Sequence, residues 1–146
     1  DCATLDDALG LLERWGRASG YHHGLAQAGE ARLLAVEAPA SGLAVTRVDD
    51  RHAHANHLIE GDFAGVEQVV TVSSARRQEV AHRRFVAERA DALDVLLEPA
   101  IHGRGVGEDD SWTLATARFR VAADAVALEV VQGEPTPPVF SETVRP

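Results

Sequence analysis

Residues 52–57 read HAHANH, three histidines and an asparagine within six positions. How this stretch folds decides what lies around it. Read as a β-strand, successive side chains alternate between faces. His52, His54 and Asn56 then share one polar face, and Ala53, Ala55 and His57 share the other. Two alanines on the second face suit close packing against a helix layer. The polar face offers two different chemistries: alternating imidazoles clamp a metal, or an asparagine between them donates hydrogen bonds to an oxyanion.

Working outward, the upstream sequence reads as strands. "LAVTRV" (43–48) alternates cleanly and turns at "DDR" (49–51) into the histidine stretch. Before it stand "ARLLAVE" (31–37), a turn at "AGE" (28–30) and "YHHGLAQ" (21–27), so four short strands form a meander. A helix precedes them. Thr4 caps it, Asp7 three residues on completes a capping box, and Leu5, Ala8, Leu9, Leu12 and Trp15 follow at helical spacing until Gly16. Downstream, Ser73 and Ser74 open a helix through "ARRQEVAHRRFVAERA" (75–90). Val80, Ala81, Phe85 and Val86 point inward and five arginines outward. "DALDVLL" (91–97) is a short helix stopped by Pro99. "IHGRGVGEDD" (101–110) is a loop, and "WTLATARFRV" (112–121) with "AVALEVV" (125–131) forms a hairpin closed by the proline-rich "GEPTPP" (133–138). The expected class is α+β, one domain over 1–146.

Composition narrows the function. The chain has 146 residues, a net charge of −9, and 14 arginines with no lysine. The acidic balance argues against nucleic acid or an anionic membrane surface as partner. Without lysine there is no Schiff-base chemistry and no phosphate-loop lysine. Cys2 is the single cysteine, so no disulfide forms within the chain and no cysteine zinc cluster exists. No methionine occurs and nothing at the front reads as a signal peptide, so the chain reads as a processed product, a designed product or one piece of a larger protein, and a cytoplasmic location is expected.

HAHANH resembles the metallo-β-lactamase signature, but Asn56 stands where that signature has an aspartate, and a neutral amide is a poor replacement for a hard anionic ligand. The flanks "VDDR" and "LIEG" also differ from that family's. An exposed histidine cluster without a role is the blander reading. A longer run carries a different likeness. "ATLDDALGLLERWGRASGYHHGLAQAGEARLLAVEAPASGLAVTRVDDRHAHANHLI" (3–59) resembles the acyl-coenzyme A:6-aminopenicillanic acid acyltransferase family of N-terminal-nucleophile hydrolases. The resemblance rests on the "LDDAL" helix, the "ASG", the strand running onto "VE", and "HANHL" (54–58), similar to the family's "HTNHF". "SSARRQEVAHRRF" looks like the helix that follows there, and the terminal hairpin with "TLAT" and "GEP" resembles the last strands.

The resemblance implies part of a four-layer αββα sandwich, with mostly antiparallel strands and helices on the outer face. It implies a precursor that cuts itself to expose a cysteine whose own α-amino group is the general base, and an amide or acyl thioester as substrate, with no cofactor and no metal. Asn56 matches the asparagine that donates to the oxyanion, making it the candidate catalytic residue; His52 and His54 are candidates for substrate binding. The family's downstream arginine is unmatched: Asp110 occupies its place and Arg104 is the nearest arginine. Cys2, in "DCAT", looks like a cleavage junction, yet Asp1 precedes it and the Thr4 helix follows at once, so it reads as a packing residue at a helix start. The nucleophile then lies upstream, the chain is the C-terminal portion of the domain, and the expected partner is the upstream portion of the same precursor, a companion subunit, or a second copy. Adjacent His22 and His23 face opposite sides of a strand and read as strand surface. His57 reads as a hydrogen-bonded structural residue, His82 as solvated, and His102 as unassigned. The arginine-rich helix reads as a solvated face. Against the enzyme stands one other class, a non-catalytic α+β scaffold.

Overall fold

A computed structural model of the chain describes residues 2–18, 20–61, 63, 65–103, 112–132 and 137–145. The first helix, α1 (Leu5–Arg14), starts where its sequence places it. Thr4 accepts from the Asp7 N–H, and the Asp7 carboxylate reaches back to the Thr4 N–H, so the capping box is complete. Trp15 closes the helix rather than extending its apolar stripe, and is 69% exposed.

Three strands follow, β1 (Tyr21–Leu25), β2 (Leu34–Ala38) and β3 (Ala44–Arg47), in an antiparallel sheet with β2 central. All five residues of β2 are buried, because both faces of the sheet are covered. On one face Leu34 and Val36 pack with Leu5, Leu9, Leu12, Leu25 and Leu43, joining α1 to the sheet. On the other face stand His22, Glu37 and Ala44, which the register places side by side. That face carries the functional stretch.

Residues 52–57 are not a fourth strand. They run as irregular chain across the sheet, so the alternation expected of His52, His54 and Asn56 does not apply. The next helix, α2 (Val72–Ala81), begins just before the serines that the sequence suggests as its start. Thr71 is the cap and accepts from the Ser74 N–H. It continues as a π-helical turn over His82–Ala87. Arg51 braces that turn, donating to the Phe85 and Ala90 carbonyls at 2.9 and 2.7 Å with its guanidinium over the Phe85 ring. The arginines are therefore only partly a solvated face: Arg84 binds Glu88 and Glu98, and Arg89 binds Asp50. Asp91 caps α3 (Ala92–Leu96).

A second antiparallel sheet, β4 (Thr116–Val121), β5 (Val126–Val131) and β6 (Phe140–Val144), completes the α+β fold. The hairpin is as the sequence implied. β6 was not anticipated, although "FSETV" has the alternation of a strand. Its proline-rich lead-in masks the signal. Arg118 and Glu129 pair across one face of this sheet. The other face presents Phe119, Val121, Leu128, Phe140 and Val144. The sheets meet where Gly29, at φ 79, donates to the Ala122 carbonyl at 3.2 Å. Among the described residues no helix is long and apolar enough to cross a membrane.

Candidate functional site

The site is built on a carboxylate. Glu37 lies in the central strand with no solvent exposure, and a buried carboxylate persists only where donors replace water. Four converge on it. Oε1 accepts from His54 Nε2 at 2.7 Å and from the Ile59 N–H, and Oε2 accepts from the Glu60 and Gly61 N–H groups at 3.0 and 3.1 Å. Burial pushes the Glu37 pKa up, but these hydrogen bonds together outweigh it and hold the carboxyl below its ordinary value.

Residues 53–58 are fastened by other side chains. Gln78 donates to the Ala53 carbonyl at 2.8 Å and accepts from the Ala55 N–H at 2.6 Å. Buried Ser74 accepts from the Asn56 N–H at 3.2 Å and shares a 2.8 Å hydrogen bond with His57 Nδ1. Gln68 brackets Leu58, accepting from its N–H and donating to its carbonyl, both at 2.9 Å. Side chains thus do for this segment what a neighbouring strand does for a sheet edge. The Asn56 side chain stands exposed at its apex and forms no hydrogen bond with any described residue.

The histidines divide by position. His54 is buried, with both ring nitrogens engaged, Nδ1 lying 2.7 Å from the Ala55 carbonyl oxygen. His22 is not strand surface: its ring stacks on His54 with centroids 3.9 Å apart, and His52 lies 5.6 Å from His22. Burial, then the neighbouring His54 and His52, push the His22 pKa down to about 4. Burial also lowers His52, against the pull of Glu60, whose Oε1 lies 3.9 Å from His52 Nδ1. Nε2 of both His22 and His52 is buried without a hydrogen-bond partner among the described residues. His57 is half-buried on Ser74, as expected, and His82 is exposed. His102 is buried, with Nδ1 unpartnered among the described residues.

So the structure does not set His52, His54 and Asn56 on one polar face. His54 is inside, His52 is at the margin beside Glu60, and Asn56 is outside. Among the described residues no group of three or more His, Cys, Asp or Glu side chains is arranged to hold a metal ion. Cys2 is exposed and free, not partly buried. Arg104 and Asp110 lie outside the described residues. Sequence reasoning missed Glu37 as a site residue; the available signal was one carboxylate closing an otherwise apolar strand.

The sequence model of the acyl-coenzyme A:6-aminopenicillanic acid acyl-transferase family matches residues 1–93 of this chain. The chain belongs to that family. The acyl-transferase match runs through α1, the first sheet, the fastened segment and α2, so it contains Glu37, Asn56 and Ser74. The likeness seen in the terminal hairpin falls outside the matched residues. Comparison with curated proteins and with solved structures returned no match.

Proposed function

We propose that this chain is the C-terminal portion of an autoproteolytic N-terminal-nucleophile amidohydrolase or acyltransferase, in which Asn56 donates its side-chain N–H groups to the oxyanion of an amide or thioester under attack. The observation that carries this reading is the presentation of Asn56. Its backbone is pinned on Ser74 and its neighbours on Gln78, Gln68 and Glu37, while its side-chain amide stays unengaged. The pinned backbone limits where the exposed amide can reach, and a donor held near developing negative charge is what its stabilisation requires. An amide also donates without being switched by pH.

In this reading the nucleophile, with its own α-amino group as base, comes from the upstream portion of the precursor or from a companion subunit. The two sheets described here are part of the four-layer αββα sandwich. His52, half-buried at the margin beside Glu60, is the histidine left to face substrate, and His54 acts from beneath. Mass spectrometry of the protein purified from its native precursor tests the reading. A companion polypeptide beginning with Cys, Ser or Thr, with turnover of an amide or thioester, is the expected result. A fully expressed precursor that neither cuts itself nor turns over such substrates would leave a non-catalytic scaffold as the better description.

A further inference from the structure

We propose that Glu37 is a positioning residue that sets the angle at which Asn56 is presented; the inference rests on the oxyanion role given to Asn56 above. One carboxylate holds both ends of the segment that carries the asparagine. His54 stands two residues before Asn56, and Ile59, Glu60 and Gly61 follow it, and all four donate to Glu37. The segment closes on Glu37 as a loop closes on its base, with Asn56 at the turn.

The hydrogen-bond demand fixes the chemistry of this base. His54 Nδ1 faces the Ala55 carbonyl oxygen and Nε2 faces a carboxylate that already accepts three N–H groups. Both ring nitrogens are thereby held, one by the segment itself and one by Glu37, so His54 and Glu37 act as one pair. The pair sits against the sheet face where His22 is the cross-strand neighbour of Glu37. His22 therefore covers the pair with its ring, and His52 with Glu60 bounds it on the outer side. A glutamine at 37 is nearly the same size but replaces one acceptor oxygen with an NH₂ group. That donor meets either His54 and Ile59 or Glu60 and Gly61, and in either case a backbone N–H that holds the segment loses its acceptor.

Asn56 is the single asparagine in the chain, so asparagine-selective ¹⁵N labelling reports one backbone and one side-chain amide. The test compares wild type, Glu37→Gln, Asn56→Ala and the double variant in the complete processed enzyme, with the labelled spectrum of each Asn56-containing form. Glu37→Gln is expected to lower kcat about 10²-fold, the scale on which a misplaced group costs rate, with KM little changed and the Asn56 signals shifted or broadened. In the double variant kcat should fall no further than in Asn56→Ala alone, because a residue acting through Asn56 has nothing left to act on. Full multiplicative loss in the double variant, or normal kcat with unmoved Asn56 signals in Glu37→Gln, overturns the proposal. Normal kcat in Asn56→Ala instead overturns the oxyanion reading itself. Should Glu37→Gln fail to fold, His54→Phe keeps the ring stacked on His22 and removes one strut. It should shift the Asn56 signals in the same sense, and unmoved signals there count against the proposal.

Discussion

His22 and His54 lie face to face, ring centroids 3.9 Å apart and planes 13° from parallel, although 31 residues of chain separate them. The sheet register explains the contact: His22 is opposite Glu37, and Glu37 holds His54. Folding therefore removes His22 from water and sets it against His54 and His52, and both effects disfavour its own protonation.

That placement makes stability depend on acid. The folded His22 titrates at about 4, the unfolded one near 6.5. Between these values the unfolded chain binds the proton that the folded chain refuses, so this contribution to stability is present above 6.5 and is lost as pH falls towards 4. His22→Phe keeps a stacked ring without a titrating group. Urea midpoints measured from about pH 7 to about pH 4.5 should fall less in His22→Phe than in wild type. Equal slopes would show that His22 does not titrate as described.

Asn56 is exposed and its side chain forms no hydrogen bond with any described residue. Asn56→Ala should leave the melting temperature almost unchanged while lowering kcat of the complete enzyme by roughly 10²–10³, the loss usual for one oxyanion donor. Steady-state kinetics beside a thermal scan separates the two. A large drop in melting temperature would recast the asparagine as structural.

Gly61 approaches the sheet where a side chain does not fit. A Cβ there would run into the Phe63 ring and stand 2.9 Å from the Ala44 Cβ. Gly61→Ala should therefore destabilise the chain by about 1–3 kcal/mol, the range for overpacking. It should also release the Gly61 N–H from Glu37, readable as faster amide exchange at 59–61. Unchanged denaturant midpoints would mean that the loop shifts without cost.

Cys2 is exposed, and its replacement removes no buried contact. Cys2→Ala should change stability by no more than about 0.5 kcal/mol and leave self-cleavage and turnover intact. Abolished turnover would identify Cys2 as the nucleophile and move the whole placement of the chain within its family.

The histidine stretch invites a test with zinc. Stacked against one another, and with His54 given to Glu37, these rings should not retain stoichiometric zinc after dialysis. Metal analysis finding one zinc per chain, with His52 and His54 as ligands at about 2.0–2.1 Å, would contradict the arrangement described.

Local signals carried the reading of the outer elements. The Thr4–Asp7 box, the leucine spacing of α1, the turn at 28–30 and the 116–131 hairpin are each specified within a few residues of sequence. The central segment is not. Alternation in HAHANH imitates a strand, but the partners that decide its path are Ser74 and Gln78, 18 to 25 residues later, and Glu37, 17 to 24 residues earlier. Such long-range side-chain fastening leaves no periodicity to detect. Glu37 was legible only as a charge ending an apolar run, and its donors are mostly backbone groups, which no residue type advertises.

The apolar face of β4, β5 and β6 has a practical corollary. Phe119, Phe140 and Val144 are 63%, 48% and 59% exposed along one side of a sheet, and Phe119 and Val144 line a cleft of about 430 Å³ together with Gln27 and Ala28. A preparation of this chain alone should light up an environment-sensitive hydrophobic dye and stick to hydrophobic resin. Loss of that stickiness on co-expression with a candidate companion gives a screen for correct assembly that needs neither a substrate nor an active enzyme.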